Sequence, residues 1–135
     1  DYLVPYVDQL SRGGVRVSLF IEPSVESIDA AVSIKAPVVE LHTGAWCHAV
    51  EVGDLTKAEH EFARVVAAAA YAGERGIEGP AGHGLDYDTA RRAAALPQIV
   101  ELNIGHFLIG EAVFVGLPEA IRRMRAAMDE GRRGA

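Results

Sequence analysis

The chain has 135 residues, half of them apolar and 24% charged, which fits one globular domain with a sizeable core but falls short of the about 250 residues of a complete eight-stranded α/β barrel. The formal charge of −6 argues against nucleic acid, which wants clustered Lys and Arg, but not against a small anion held by local donors. The single cysteine, Cys47, excludes an internal disulfide framework and a Cys-rich zinc site, carries no signature of a catalytic thiol, and leads us to expect a reducing, cytoplasmic setting.

No apolar run reaches the about 18 residues of a membrane span. No basic region followed by an apolar stretch marks a secretory signal. The first residue is Asp1, not Met, and residues 1–14 read as the later part of a helix ended by Gly13 and Gly14. We therefore expect further chain before it.

Residues 15–21 form a short, β-branched apolar run between a glycine pair and Glu22-Pro23, which predicts a buried strand. Ser24 is placed to cap the next helix, which carries Ile28, Ala31, Val32 and Ala36 and stops at Pro37. Residues 38–42 predict a second strand, turned by Thr43-Gly44 into a polar loop that runs through Asp54. A long Ala-rich helix follows from Lys57 to about Gly73, with an expected stripe of Phe62, Val65, Val66, Ala69 and Ala70.

Residues 76–82 are a weaker strand, because Gly and Pro suit a strand end crowded by a ligand better than a strand interior. Residues 86–96 predict a helix and 99–104 a fourth strand. A short apolar helix over 107–115 follows, broken by Gly116. Pro118 opens a last amphipathic helix with Ala120, Ile121, Met124 and Met128 on one face, and residues 131–135 are expected to fray. Strand and helix thus alternate four times, which implies a parallel sheet with helical crossovers. Periodicity does not choose between an open sheet and half of an eight-unit barrel. The extra short helix after the fourth strand is a feature of barrels that bind phosphate there.

Polar residues recur at the presumed carboxyl ends of the strands, where parallel α/β folds bind ligands: Glu40, His42, His83, Glu101, Asn103 and His106. In Ala81-Gly82-His83-Gly84-Leu85 two glycines flank one imidazole. Glycine lets backbone N–H groups approach a ligand, and histidine transfers protons near neutral pH. A tight turn with an incidental histidine has the same composition. Gly105 and His106 stand at a strand-to-helix turn, where a helix start attracts anions and Gly permits close approach. The alternative is a turn that needs Gly for its dihedrals. Glu40 lies inside an apolar strand, a costly place for a carboxylate unless it is paired or catalytic; His42 shares its face and is a ready structural partner. His48 and His60 read as solvent-exposed. Arg122, Arg123, Arg125, Arg132 and Arg133 read as a solvated helix face and tail. No spacing of His, Asp and Glu makes a metal set.

Taken in order and spacing, residues 15–21, 40–44, 81–85 and 101–110 resemble the second half of the pyridoxine 5'-phosphate synthases. The resemblance implies a (β/α)8 TIM barrel with additional helices, assembled into homo-oligomers. Residues 1–135 would be one barrel segment, covering about the last four βα units and an extra short helix after the final strand. The family condenses 1-deoxy-D-xylulose 5-phosphate with 3-amino-2-oxopropyl phosphate, releases inorganic phosphate and water, and uses no metal or organic cofactor. By resemblance His83 is the proton donor, and Glu40 is the carboxylate that stabilises charge during ring formation. Gly84, Gly105 and His106 hold the phosphate. The stretch from Trp46 to Leu55 looks slightly expanded. The family's general-base histidine, second general-base glutamate and further substrate-binding residues belong to the first half, so the chain alone is expected to be inactive or very weak.

Two other readings compete. One is a different phosphate-binding (β/α) enzyme, although no lysine stands at a strand end for Schiff-base chemistry. The other is a non-catalytic module with a vestigial phosphate pocket. Open edges on the first and fourth strands would also favour pairing of two copies into a barrel-like dimer, which a monomeric mass in solution would refute.

Overall fold

The computed structural model describes residues 2–134. The expectations for Asp1 and for Ala135 lie outside these residues. Helix α1 (Val4–Arg12) ends at Gly13, whose N–H returns to the Gln9 carbonyl at 3.1 Å. The alternating units follow: β1 (Ser18–Ile21), α2 (Val25–Ser33), β2 (Val38–His42), α3 (Gly44–Glu51), α4 (Leu55–Glu74), β3 (Ala81–Gly82), α5 (Tyr87–Ala94), β4 (Leu102–Asn103), α6 (His106–Val115) and α7 (Leu117–Arg133). The strands form one parallel sheet in the order β1-β2-β3-β4. Consecutive parallel strands joined by helical crossovers are the arrangement of four successive units of a (β/α)8 barrel.

Local chemistry explains the helix starts. The Ser24 hydroxyl accepts from Ser27 N–H at 3.2 Å, as its position ahead of α2 predicted. Asp54 caps α4, and Asp86 forms a reciprocal capping box with Thr89 at the start of α5. Helix α2 stops at Ser33, earlier than the expected Ala36, because Lys35 turns left-handed with φ 59° ahead of Pro37.

Register sets the two faces of the sheet. Phe20 pairs with Glu40, and His42 pairs with Gly82, which pairs with Asn103. In a parallel sheet, paired residues share a face and successive residues alternate. Phe20, Glu40, His42, Gly82 and Asn103 therefore occupy one face. Val39, Leu41 and Ala81 occupy the other, packed with Ile28 and Ala31 of α2 and Ala68, Ala69 and Ala72 of α4. The buried stripe of α4 is Ala58, Val65, Ala68, Ala69 and Ala72. The expected Val66 is 37% exposed, so the stripe is rotated toward the small residues. Alanines let α4 lie close to the sheet, which larger side chains would prevent.

Further expectations need correction. The loop through Asp54 contains α3, because Trp46, Cys47 and Ala49 are buried against α4 and α5 and the Trp46 ring lies 4.6 Å from that of Phe62. β3 and β4 are shorter than residues 76–82 and 99–104. Pro80 lacks an N–H donor, and Glu78 joins β2 only through an isolated bridge to Val38. β1 begins at Ser18, three residues later than expected. Residues 131–133 belong to a helix: α7 runs through Arg133, and the Arg132 guanidinium donates to the carbonyls of Leu96 and Ile99. Arg122 and Arg123 do lie on a solvated face, where both pair with Glu119 and hold its carboxyl down at about 2.

Ala120, Met124, Ala127 and Gly131 form the buried face of α7 against α5. A β-carbon on Gly131 would collide with the Arg91 backbone carbonyl. On an exposed helix, Gly→Ala would stabilise by about 1 kcal/mol. Here Gly131→Ala is expected to destabilise by about 1–3 kcal/mol, because a helix backbone cannot yield as a side chain does. Urea unfolding of the two proteins decides the sign.

Candidate active site

The carboxyl ends of the four strands open onto a cavity of about 1160 Å³. Glu40 and His42 reach it from β2, His83 and Gly84 from the turn after β3, and Asn103, Gly105 and His106 from the end of β4 and the start of α6. The five residues singled out by the resemblance, Glu40, His83, Gly84, Gly105 and His106, all line this one cavity. Glu101 does not, because it precedes β4 and so stands at the amino end of that strand.

Glu40 enters the cavity from a strand whose neighbours Val39 and Leu41 are fully buried. Its carboxylate fits because Gly82 lacks a side chain: a β-carbon there would fall on Oε1 of Glu40 and lie 2.9 Å from the Asn103 carbonyl oxygen. His83 is one of two described non-glycine residues with positive φ, at 81°. That conformation is strained for a residue with a β-carbon, and such strain concentrates at functional sites. Thr43, fully buried, holds the turn. Its N–H donates to the Gly82 carbonyl at 2.9 Å, and its hydroxyl lies 2.7 Å from the carbonyl oxygens of both Gly82 and His83.

The His83 ring stacks on His42 with centroids 4.8 Å apart and planes at 24°, and Phe20 closes the stack 4.9 Å from His42. Nδ1 of His42 is buried without a hydrogen bond, 3.6 Å from Oε1 of Glu22. Gly84, at φ 84°, brings the backbone against Cys47, where a β-carbon would lie 2.9 Å from Cys47 Cβ. Burial pushes the Cys47 thiol up to about 11, with hydroxyl contacts from Thr43 and Thr89 opposing the shift. Burial thus favours the neutral thiol over the nucleophilic thiolate.

Gly105 is the N-cap of α6 and His106 its first residue, so the first turn of a helix, whose N–H groups have no intrahelical partner, borders the cavity. No Lys or Arg lines it among the described residues. An anion held here would rest on backbone N–H groups, the helix dipole and imidazole donors. Among the described residues, no three His, Cys, Asp or Glu side chains converge as metal ligands. No described helix is long and apolar enough to cross a membrane.

Sequence reasoning missed four contributors. Phe20 reads as strand filler, although parallel pairing with Glu40 puts it on the cavity face. Thr43 reads as a turn residue. His48 and Glu51 line the cavity mouth from α3; His48 is exposed as expected, but on a helix and not in a loop. His60 is exposed on α4, outside the cavity.

Comparison with known proteins identifies the frame. Residues 1–130 match the family described as pyridoxal phosphate biosynthesis protein PdxJ. The pyridoxine 5'-phosphate synthase of Bradyrhizobium diazoefficiens is 56% identical over 130 residues, covering 96% of this chain and 52% of that protein. The enzyme of the same name from Xanthobacter autotrophicus is 59% identical, covering 96% and 51%. That of Caulobacter vibrioides is 60% identical over 124 residues, covering 92% and 49%. The chain thus spans about half the length of the relatives it matches. The family match over residues 1–130, with 56–60% identity to these relatives over 92–96% of the chain, places the chain in the PdxJ family of pyridoxal phosphate biosynthesis proteins.

Proposed function

We propose that residues 1–135 are the carboxyl-terminal barrel segment of a pyridoxine 5'-phosphate synthase and supply half of its active site. The observation that carries this reading is the meeting of Glu40, His83, Gly84, Gly105 and His106 in one cavity at the carboxyl edge of the sheet. The substrates are 1-deoxy-D-xylulose 5-phosphate and 3-amino-2-oxopropyl phosphate. The products are pyridoxine 5'-phosphate, inorganic phosphate and water.

In this scheme Gly84, Gly105 and His106 hold the phosphate of the amino-ketone and later of the product, with the first turn of α6 presenting N–H groups to it. Glu40 stabilises the positive charge that develops as an amine condenses with a ketone. Its carboxylate is set in a strand that cannot relax, so the charge is preorganised. His83 donates the proton that a departing oxygen needs. The general bases come from the other half of the barrel, whose strands pair with β1 and β4. Exposed Val15, Phe20 and Val100 beside those edges are suited to be covered there. The complete protein works as a homo-oligomer, as the family resemblance implies, in the reducing cytoplasm that a single cysteine suits.

Calorimetric titration with pyridoxine 5'-phosphate, and with pyridoxine as the unphosphorylated control, tests this. Binding that requires the phosphate is expected, together with no ring closure by the chain alone. Equal binding of both compounds would refute the phosphate site. Turnover by the isolated chain at the rate of a full-length relative would refute the half-site reading.

A further inference from the structure

We propose that His42-Thr43-Gly44 is a positioning cradle for His83, with Thr43 as its central positioning residue. The proposal deepens the reading of His83 as proton donor and rests on it for its kinetic consequences. Thr43 is completely buried and does not line the cavity, so it acts only through another group. Its hydroxyl meets the carbonyl oxygens of Gly82 and His83, each at 2.7 Å. These two carbonyls belong to the two peptide planes that flank the His83 α-carbon. Thr43 N–H donates to the Gly82 carbonyl at 2.9 Å, which leaves the single hydroxyl proton for the His83 carbonyl; the two donors together hold φ and ψ of His83 in a left-handed conformation that an L-residue leaves when released.

The flanking residues complete the cradle. His42 presents its ring face to the His83 imidazole, with centroids 4.8 Å apart, which restricts the side-chain torsions. Gly44 makes room for both rings: a β-carbon there would lie 2.6 Å from Cε1 of His42 and 2.9 Å from Cδ2 of His83. One tripeptide thus fixes the backbone, the ring plane and the space around a single imidazole. A proton donor gains from this because misplacement by about 1 Å costs roughly 100-fold in rate.

The test is made in a full barrel that carries this chain. Thr43→Val removes the hydroxyl at nearly constant volume, Thr43→Ser restores it, and His42→Ala removes the stack. Thr43→Val is expected to lower kcat by about 10- to 100-fold while KM and calorimetric affinity for pyridoxine 5'-phosphate stay within about threefold; Thr43→Ser recovers most of the rate. His42→Ala is expected to lower kcat by about tenfold with the same pattern. By NMR, the ring protons of His83 are expected to lose their ring-current shift in both variants.

If Thr43→Val keeps its kcat within about twofold, or loses affinity and rate in equal measure, the proposal is overturned. If Thr43→Val does not fold, His42→Ala decides: an unchanged kcat together with an unchanged His83 signal overturns the cradle. His83→Asn separates the two layers of the argument. Full turnover in that variant refutes the proton donor, whereas an unmoved His83 signal in Thr43→Val refutes the cradle itself.

Discussion

His83→Asn, in a full barrel that carries this chain, is expected to lower kcat by about 100- to 10,000-fold, the usual contribution of a positioned acid or base. Asparagine is the informative replacement because of the backbone. Position 83 has φ 81°, and Asn tolerates that region better than most residues with a β-carbon. The substitution therefore removes the imidazole and keeps the turn that carries Gly84. Affinity for pyridoxine 5'-phosphate is expected to remain, since the proposed phosphate contacts lie on Gly84, Gly105 and His106. Steady-state kinetics with parallel calorimetry checks both halves of this expectation. A kcat within about tenfold of the parent would remove His83 from the chemistry.

The second large effect concerns a residue with no side chain. Gly82→Ala would push a β-carbon into Oε1 of Glu40 and within 2.9 Å of the Asn103 backbone oxygen. The carboxylate can move, but the backbone oxygen belongs to β4, which pairs with β3 at that residue. Either Glu40 leaves its place or β3 and β4 separate. We expect a loss of about 100-fold in kcat, because Glu40 must shift by the order of 1 Å. We also expect a destabilisation of about 1–3 kcal/mol from overpacking. Gly79→Ala is the control: its β-carbon would meet only the Ala72 Cβ, at 3.9 Å, an ordinary contact. A stability change within about 0.5 kcal/mol is expected there. If Gly82→Ala matched Gly79→Ala in both rate and urea midpoint, the close fit of Glu40 against Gly82 would not matter to function.

The cavity has one electrostatic feature with consequences for both variants. Its described lining carries imidazoles and carboxylates but neither Lys nor Arg. Anion binding by backbone N–H groups is geometrically exacting, because each donor is fixed by the fold. Substitutions that shift the strand ends should therefore reach the phosphate site as well as the acid–base groups. That is why the expected separation between rate and affinity is strictest for His83→Asn and looser for Gly82→Ala.

Much of this arrangement was legible in the sequence because it depends on short-range rules. The alternation of β-branched runs with apolar helical stripes set the order of strands and helices. Ser24 announced the start of α2, and Gly105 with His106 announced the start of α6. Parallel strands put their carboxyl ends together, so Glu40, His42, His83, Asn103 and His106 meet in one cavity, whereas Glu101, ahead of β4, does not join them. The rest depended on which residues meet across the fold. α3 is helical because Trp46 finds Phe62 beneath it, a contact made by residues 16 apart. Phe20 faces the cavity because parallel register ties it to Glu40, not because of its own neighbours. Thr43 became more than a turn residue only when the carbonyls of Gly82 and His83, some 40 positions away, arrived at its hydroxyl. Gly131 ended up inside the molecule because α7 crosses α5 at that point. Periodicity and turn chemistry are properties of a segment and can be read from it, whereas depth, register and backbone strain are set by the partner that a segment packs against.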